Sequence, residues 1–273
     1  MAGRWWAVCL MAAAFGASAG QWEDSAAVTA LFSDAGVQGT FVLYDPAEDR
    51  LVGHDEARAR ERYVPASTFK LVNALIGLTG GYVQDLEEVL PYGGEPQPFK
   101  AWERDMNLRE AFPASNVPVF QGLARRIGIE TMQRDVARLE YGNARIGHVI
   151  DRFWLDGPLE ISGVEQVHFL ARLAAGQLPF PPGAQQAVRE IACIERGDGW
   201  TLFGKTGWAN PGQAGLGWWV GWVQTPERVH AFALNMDMQS IEDAPRRIEL
   251  GRASLNALGV LPSASGQAPS AGC

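Results

Sequence analysis

Apolar positions change their period twice along this chain. Gly39-Thr40-Phe41-Val42-Leu43-Tyr44 and Arg50-Leu51-Val52-Gly53 are short β-type runs on either side of Asp45-Pro46-Ala47-Glu48-Asp49, which has the residue types of a turn. They predict an early antiparallel hairpin. From Pro65 the period lengthens: Leu71, Val72, Leu75, Ile76 and Leu78 put apolar groups on most sides of a short helix, which must therefore be buried. Helical and loop patterns continue to about Glu195. Strand patterns then return in Trp200 to Lys205, Gly217 to Val223 and Val229 to Asn235, and a helix from about Pro245 to Leu258 closes the chain. Strands at both ends with helices between them predict an α+β fold: an antiparallel sheet built from both chain ends, flanked by helices, with an inserted mainly helical subdomain. The sheet part covers about 20–64 and 197–262 and the helical part about 65–196 of one domain, 20–262.

The two ends read differently. Arg4, the apolar run from Trp5 to Phe15 and the small residues Ala17-Ser18-Ala19 have the form of an export leader, residues 1–19; a buried N-terminal helix is the alternative. Residues 263–273, rich in Ser, Ala, Gly and Pro, predict a disordered tail. Arg4 is the leader's single charged residue, so its removal takes the net charge from −8 to −9. That charge argues against nucleic acid or an anionic membrane surface as partner and for a small molecule. Cys9 leaves with the leader, and Cys193 and Cys273 are too few for a disulfide framework or a zinc site; they either pair or stay free. His54, His148, His168 and His230 show no His-Glu-x-x-His spacing, and no Gly-x-Ser-x-Gly elbow occurs, which disfavours a zinc hydrolase and an α/β-hydrolase.

Only three of the 23 basic residues are lysines, at 70, 100 and 205. An ammonium can lose its proton in an apolar pocket and act as a base, whereas a guanidinium stays charged. Two of the three lie in short motifs. In Ser67-Thr68-Phe69-Lys70 the spacing sets the amine one helical turn beyond a hydroxyl at the start of the buried helix, where the two can meet; the plainer reading is an N-cap serine and a snorkelling lysine. Lys205-Thr206-Gly207 falls at the end of a predicted strand, with Gly207 permitting close backbone approach of a ligand. Residues 199–206 also satisfy the Gly-x4-Gly-Lys-Thr phosphate-loop pattern, but Gly207-Trp208-Ala209-Asn210-Pro211-Gly212 cannot start the helix such a loop needs.

Ser67-Thr68-Phe69-Lys70, Ser115-Asn116-Val117, Tyr141-Gly142-Asn143, Phe153-Trp154-Leu155 and Lys205-Thr206-Gly207, in that order and spacing, resemble the class D, oxacillinase-type serine β-lactamases over nearly the whole mature chain, to about Leu261. The resemblance implies that Ser67 is the nucleophile opening a β-lactam, with its own N–H and that of Trp208 as oxyanion hole. It implies that Lys70, N-carboxylated by CO2 from bicarbonate, is the general base, and that no metal or bound cofactor is needed. That chemistry requires a neutral amine, far from its reference pKa of about 10.4. Val117 and Leu155 would wall the pocket, and the Trp154 indole N–H would donate to the carbamate. Ser115, aided by Lys205, would relay a proton to the leaving nitrogen. Thr206 and an arginine would bind the substrate carboxylate; Arg247 aligns better with the family segment and Arg246 is the fallback. Tyr141-Gly142-Asn143 reads equally well as a turn with glycine at positive φ.

The same Ser-x-x-Lys and Lys-Thr-Gly pair occurs in penicillin-binding D,D-peptidases and in β-lactam sensor domains that are acylated without turnover. Class A β-lactamases use Ser-Asp-Asn and a separate glutamate, whereas this chain has Ser115-Asn116-Val117. With the leader, the resemblance implies a periplasmic enzyme conferring antibiotic resistance, with no stable membrane association. The substrate spectrum and a homodimer stay open.

Overall fold

The computed structural model describes residues 20–209, 215–261 and Cys273. The expected leader, 1–19, and the tail to residue 272 lie outside them. In chain order the elements are β1 (Gln21–Asp24), α1 (Ala26–Ala35), β2 (Gly39–Asp45), β3 (Arg50–His54), α2 (Glu56–Arg60), β4 (Arg62–Tyr63), α3 (Lys70–Thr79), α4 (Leu108–Ala111), α5 (Val117–Ile127) and α6 (Ile129–Arg138). There follow β5 (Ile161–Ser162), α7 (Gly163–Ala174), α8 (Pro182–Ala192), β6 (Cys193–Gly197), β7 (Trp200–Ala209), β8 (Gly215–Gln224), β9 (Val229–Met238) and α9 (Ala244–Ala257).

Seven strands form one sheet in the order β1-β3-β2-β9-β8-β7-β6, so β2 from the first part of the chain pairs with β9 from the last. All neighbours are antiparallel except β1 and β3, which run parallel. That exception was not legible in the sequence, because Gln-Trp-Glu-Asp carries no strand-like alternation.

Alternation along the central strands builds two cores. Val42, Trp218, Val220, Trp222, Ala231 and Ala233 face the helical side with α3, α5, α7 and α8. Phe41, Leu43, Trp219, Val223, Phe232 and Leu234 face the other side, covered by α1 and α9. This is the pleat's period of two. The adjacent Trp218 and Trp219 therefore serve different cores, and all three tryptophans of β8 are buried packing residues. Helix α7, inside the helical segment, lies directly across β9 and β2, so the helical part leans on the sheet. A disulfide joins Cys193, at the start of edge strand β6, to Cys273. Among the described residues no helix is long and apolar enough to cross a membrane.

Candidate active site

Ser67 sits in a 3₁₀ turn, Ala66–Phe69, that leads into α3, so it precedes the α-helix by three residues instead of starting it as predicted. Ala66 holds φ at 49°, a left-handed conformation uncommon for alanine, and this bend delivers the Ser67 hydroxyl to the surface of the core. The turn is pinned from both sides. Thr68 Oγ1 donates to Pro65 O at 2.8 Å, and the Trp218 indole donates to Val64 O at 3.0 Å.

Lys70 is the first residue of α3, and its Nζ lies 2.7 Å from Ser67 Oγ. The residue is completely buried, with the Phe120 ring 5.4 Å from Nζ. Burial, then the charge of Lys205, holds the Lys70 amine well below the ordinary lysine range, which favours its neutral form. A snorkelling lysine is thereby ruled out. Trp154 is also fully buried, stacked on Phe69 at 5.4 Å, and its Nε1–H has no hydrogen-bond partner in the protein. An orphaned buried donor costs free energy unless an acceptor comes to it.

Ser115 is presented by a second strained turn, with φ at 53°. The next residue, Asn116, fixes that turn: its Oδ1 accepts from Val119 N–H at the start of α5, and its Nδ2 donates to Trp102 O. Lys205 reaches from β7 and donates to Ser115 Oγ at 2.9 Å and to Thr206 O at 3.0 Å. It is 4% exposed; burial and the neighbouring Arg247 push its pKa down to about 7. The strand carrying Lys205-Thr206-Gly207 does not end there, as predicted, but runs on through Ala209, because residues 200–209 are all paired, mostly with β8. No helix follows the Lys-Thr pair, so the phosphate-loop pattern has no phosphate-loop structure.

Ser67 and Ser115 open into one cleft of about 810 Å³, lined also by Val117, Leu155, Thr206, Gly207, Trp208 and Arg247; Lys70, Trp154 and Lys205 are not among its lining residues. Between Arg246 and Arg247 at the start of α9 the geometry is decisive. Arg247 is buried, donates to Gly207 O and Ala244 O and lines the cleft, while Arg246 turns away to Ala35 O and Asp243. Burial lowers Arg247 only to about 10, so it keeps its charge at neutral pH.

Sequence reasoning missed the outer wall. Phe99 and Trp102, in edge contact at 4.8 Å, and Arg152 with Asp156, an ion pair one helical turn apart, also line the cleft. They lie in irregular segments whose placement no periodicity announces. Tyr141-Gly142-Asn143 is the expected turn, with Gly142 at φ 56°, and none of the three lines the cleft. None of the four histidines lines it either. Among the described residues no cluster of His, Cys, Asp and Glu is arranged to hold a metal ion.

The fold and the paired serine–lysine motifs are those of an acyl-transferring serine enzyme, and a family model for the penicillin binding protein transpeptidase domain matches residues 39–249. The chain is 40% identical over 233 residues to β-lactamase OXA-5 of Pseudomonas aeruginosa, covering 84% of this chain and 87% of that one. It is 34% identical over 258 residues to β-lactamase OXA-48 of Klebsiella pneumoniae, covering 94% and 97%. The crystal structure of FUS-1 (OXA-85), a class D β-lactamase from Fusobacterium nucleatum subsp. polymorphum, superposes with a TM-score of 0.84 at 39% identity, covering 88% of this chain and 100% of that one. This chain belongs to the class D serine β-lactamases.

Proposed function

We propose that the protein hydrolyses the β-lactam amide of penicillin-type antibiotics through an acyl-enzyme on Ser67, and so gives resistance to them. The observation that carries this reading is the 2.7 Å approach of a desolvated Lys70 amine to the Ser67 hydroxyl beside a cleft lined by Thr206 and Arg247. A serine hydroxyl becomes nucleophilic when a base takes its proton.

Arg247 and Thr206 hold the substrate carboxylate, the guanidinium offering a planar pair of donors. Ser67 Oγ attacks the lactam carbonyl carbon and its proton passes to the base at residue 70. The N–H groups of Ser67 and Trp208 hold the developing oxyanion. As the C–N bond breaks, the proton taken from Ser67 passes from the base at residue 70 through Ser115, polarised by the Lys205 charge, to the nitrogen, so that Ser115 keeps a hydroxyl and the base is free again. Water then cleaves the ester and frees Ser67.

The residues around Lys70 fit N-carboxylation by CO2. Burial holds the amine well below the ordinary lysine range, toward the neutral form that the reaction requires, and Trp154 Nε1–H is a buried donor without an acceptor. Carboxylation supplies an anionic oxygen base for both acylation and deacylation. Val117 and Leu155 keep the surroundings apolar, and no metal or bound cofactor takes part.

The reading extends to the whole chain: a leader, 1–19, removed on export to the periplasm; one catalytic domain, 20–262; a tail beyond it; and a free β-lactam as partner, with no nucleic acid or membrane bound. A homodimer is a question for light scattering. Intact-mass measurement on mixing with benzylpenicillin tests the covalent step. The adduct mass appears on the wild type and is absent from Ser67→Ala; turnover retained by Ser67→Ala overturns the assignment.

A further inference from the structure

Tyr141-Gly142-Asn143 lies outside the cleft, yet it joins the segment that carries Trp154. Asn143 binds that segment through its backbone N–H and both polar atoms of its side chain. Its N–H donates to Glu160 O at 2.9 Å, its Nδ2 donates to Pro158 O at 2.9 Å, and its Oδ1 accepts from Glu160 N–H at 3.2 Å and from Arg145 N–H at 3.1 Å. Residues 143 and 160 are thus the two ends of one closed loop. Inside it, Leu159 N–H donates to Phe153 O at 3.2 Å, immediately before Trp154.

The other two residues of the motif serve the same closure. A side chain on Gly142 would set its Cβ 2.0 Å from Glu160 O, so only glycine lets the loop ends meet. The buried Tyr141 ring packs edge-on against Phe69 at 5.8 Å, and Phe69 is the ring on which Trp154 stacks. The Trp154 indole is therefore fixed by an aromatic stack on one side and by the clasped loop on the other.

We propose that Asn143 is a positioning residue: it clasps the 143–160 loop so that the Trp154 N–H stays in place for the carboxylated Lys70, and so sets how readily Lys70 takes up CO2. The inference rests on the reading of Lys70 as the CO2-accepting base. In that step the neutral amine forms an N–C bond to CO2 and releases one proton to solvent. A mobile indole leaves the resulting anion without its buried donor, and the reverse reaction is favoured.

The test is a titration of wild type, Asn143→Ala and Asn143→Asp with 13C-bicarbonate, following both the carbamate 13C resonance and benzylpenicillin turnover. Asn143→Ala needs about tenfold more bicarbonate for half-saturation, the equivalent of one or two lost hydrogen bonds, and recovers wild-type kcat when saturated. Asn143→Asp, which keeps the Oδ1 acceptor and loses the Nδ2 donor, falls between. If Asn143→Ala does not fold, Asn143→Asp decides alone. Titration at the wild-type concentration, or a rate loss that bicarbonate does not restore, overturns the proposal. Absence of a carbamate resonance from the wild type instead overturns the reading of Lys70, and this inference with it.

Discussion

Lys205 Nζ is hydrogen-bonded at 2.9 Å to Ser115 Oγ across 90 residues of sequence, joining β7, the second strand from the β6 edge of the sheet, to the turn that precedes α5. The contact makes the helical and sheet parts one catalytic unit. It places a hydroxyl and a titratable amine where a leaving nitrogen can receive a proton. Replacing the hydroxyl removes one relay and little packing, so Ser115→Ala lowers the acylation rate by about 10²–10⁴-fold, the usual yield of positioned acid–base catalysis. Stopped-flow acylation with a chromogenic cephalosporin measures it; an unchanged rate contradicts the relay.

The same lysine gives a pH signature. Its pKa, pushed down to about 7, marks the positive charge that must be present to assist the Ser115 relay, so kcat/KM falls as pH rises through that value. A bound carboxylate favours the ammonium, and the alkaline limb of kcat therefore lies at higher pH than that of kcat/KM. Coincident limbs in the two profiles would argue that Lys205 does not meet the substrate's charge.

Lys70 predicts a trade of stability for activity. Its depressed pKa means that, between that value and the unfolded-state value of about 10.4, the native protein binds fewer protons than the unfolded chain. Stability from this group thus rises with pH and is poorest on the acid side. Lys70→Met removes that cost, raising stability at pH 7 by about 1–3 kcal/mol while abolishing turnover. The gain shrinks as pH approaches 10. Urea melts at pH 6, 7.5 and 9 check the trend, and a gain that grows with pH reverses the sign of the argument.

Arg247 and Arg246 are adjacent in sequence and opposite in orientation. Arg247→Ala removes a charged donor from the cleft and lowers kcat/KM by about 10- to 100-fold, chiefly through KM, whereas Arg246→Ala leaves it within about twofold. Steady-state kinetics on both variants decide between them; the reverse order would make Arg246 the clamp.

Gly207 lies where β7 meets the nucleophile turn. A Cβ there would come within 3.0 Å of Pro65 O and 3.2 Å of Thr68 Cγ2. Gly207→Ala therefore pushes the Ser67 turn away from the strand and lowers kcat by about 100-fold, the scale of a 1 Å misplacement. Wild-type kcat in this variant would show that the turn tolerates the shift.

The motif residues were legible in the sequence because their chemistry needs particular side chains at particular spacings: the Ser67–Lys70 interval permits the contact that the fold makes, and the apolar neighbours Phe69, Leu71 and Val72 favoured it over a snorkelling lysine. The three-tryptophan strand β8 and the hairpin of β2 and β3 were legible from alternation. Three things were not. The parallel pairing of β1 depends on a partner far along the chain rather than on its own four residues. The strand through Gly207 continues because β8 holds it, which no local propensity records. Phe99, Trp102 and Arg152 reach the cleft through irregular backbone, where position in sequence says little about position in space.

The most direct test of the central claim is a time course of benzylpenicillin hydrolysis by the purified mature protein, at large substrate excess, with and without added bicarbonate. Sustained turnover accelerated by bicarbonate is the predicted result. One equivalent of acylation followed by silence contradicts hydrolysis and points to a sensor or a penicillin-binding peptidase, and no reaction at all contradicts the role assigned to Ser67.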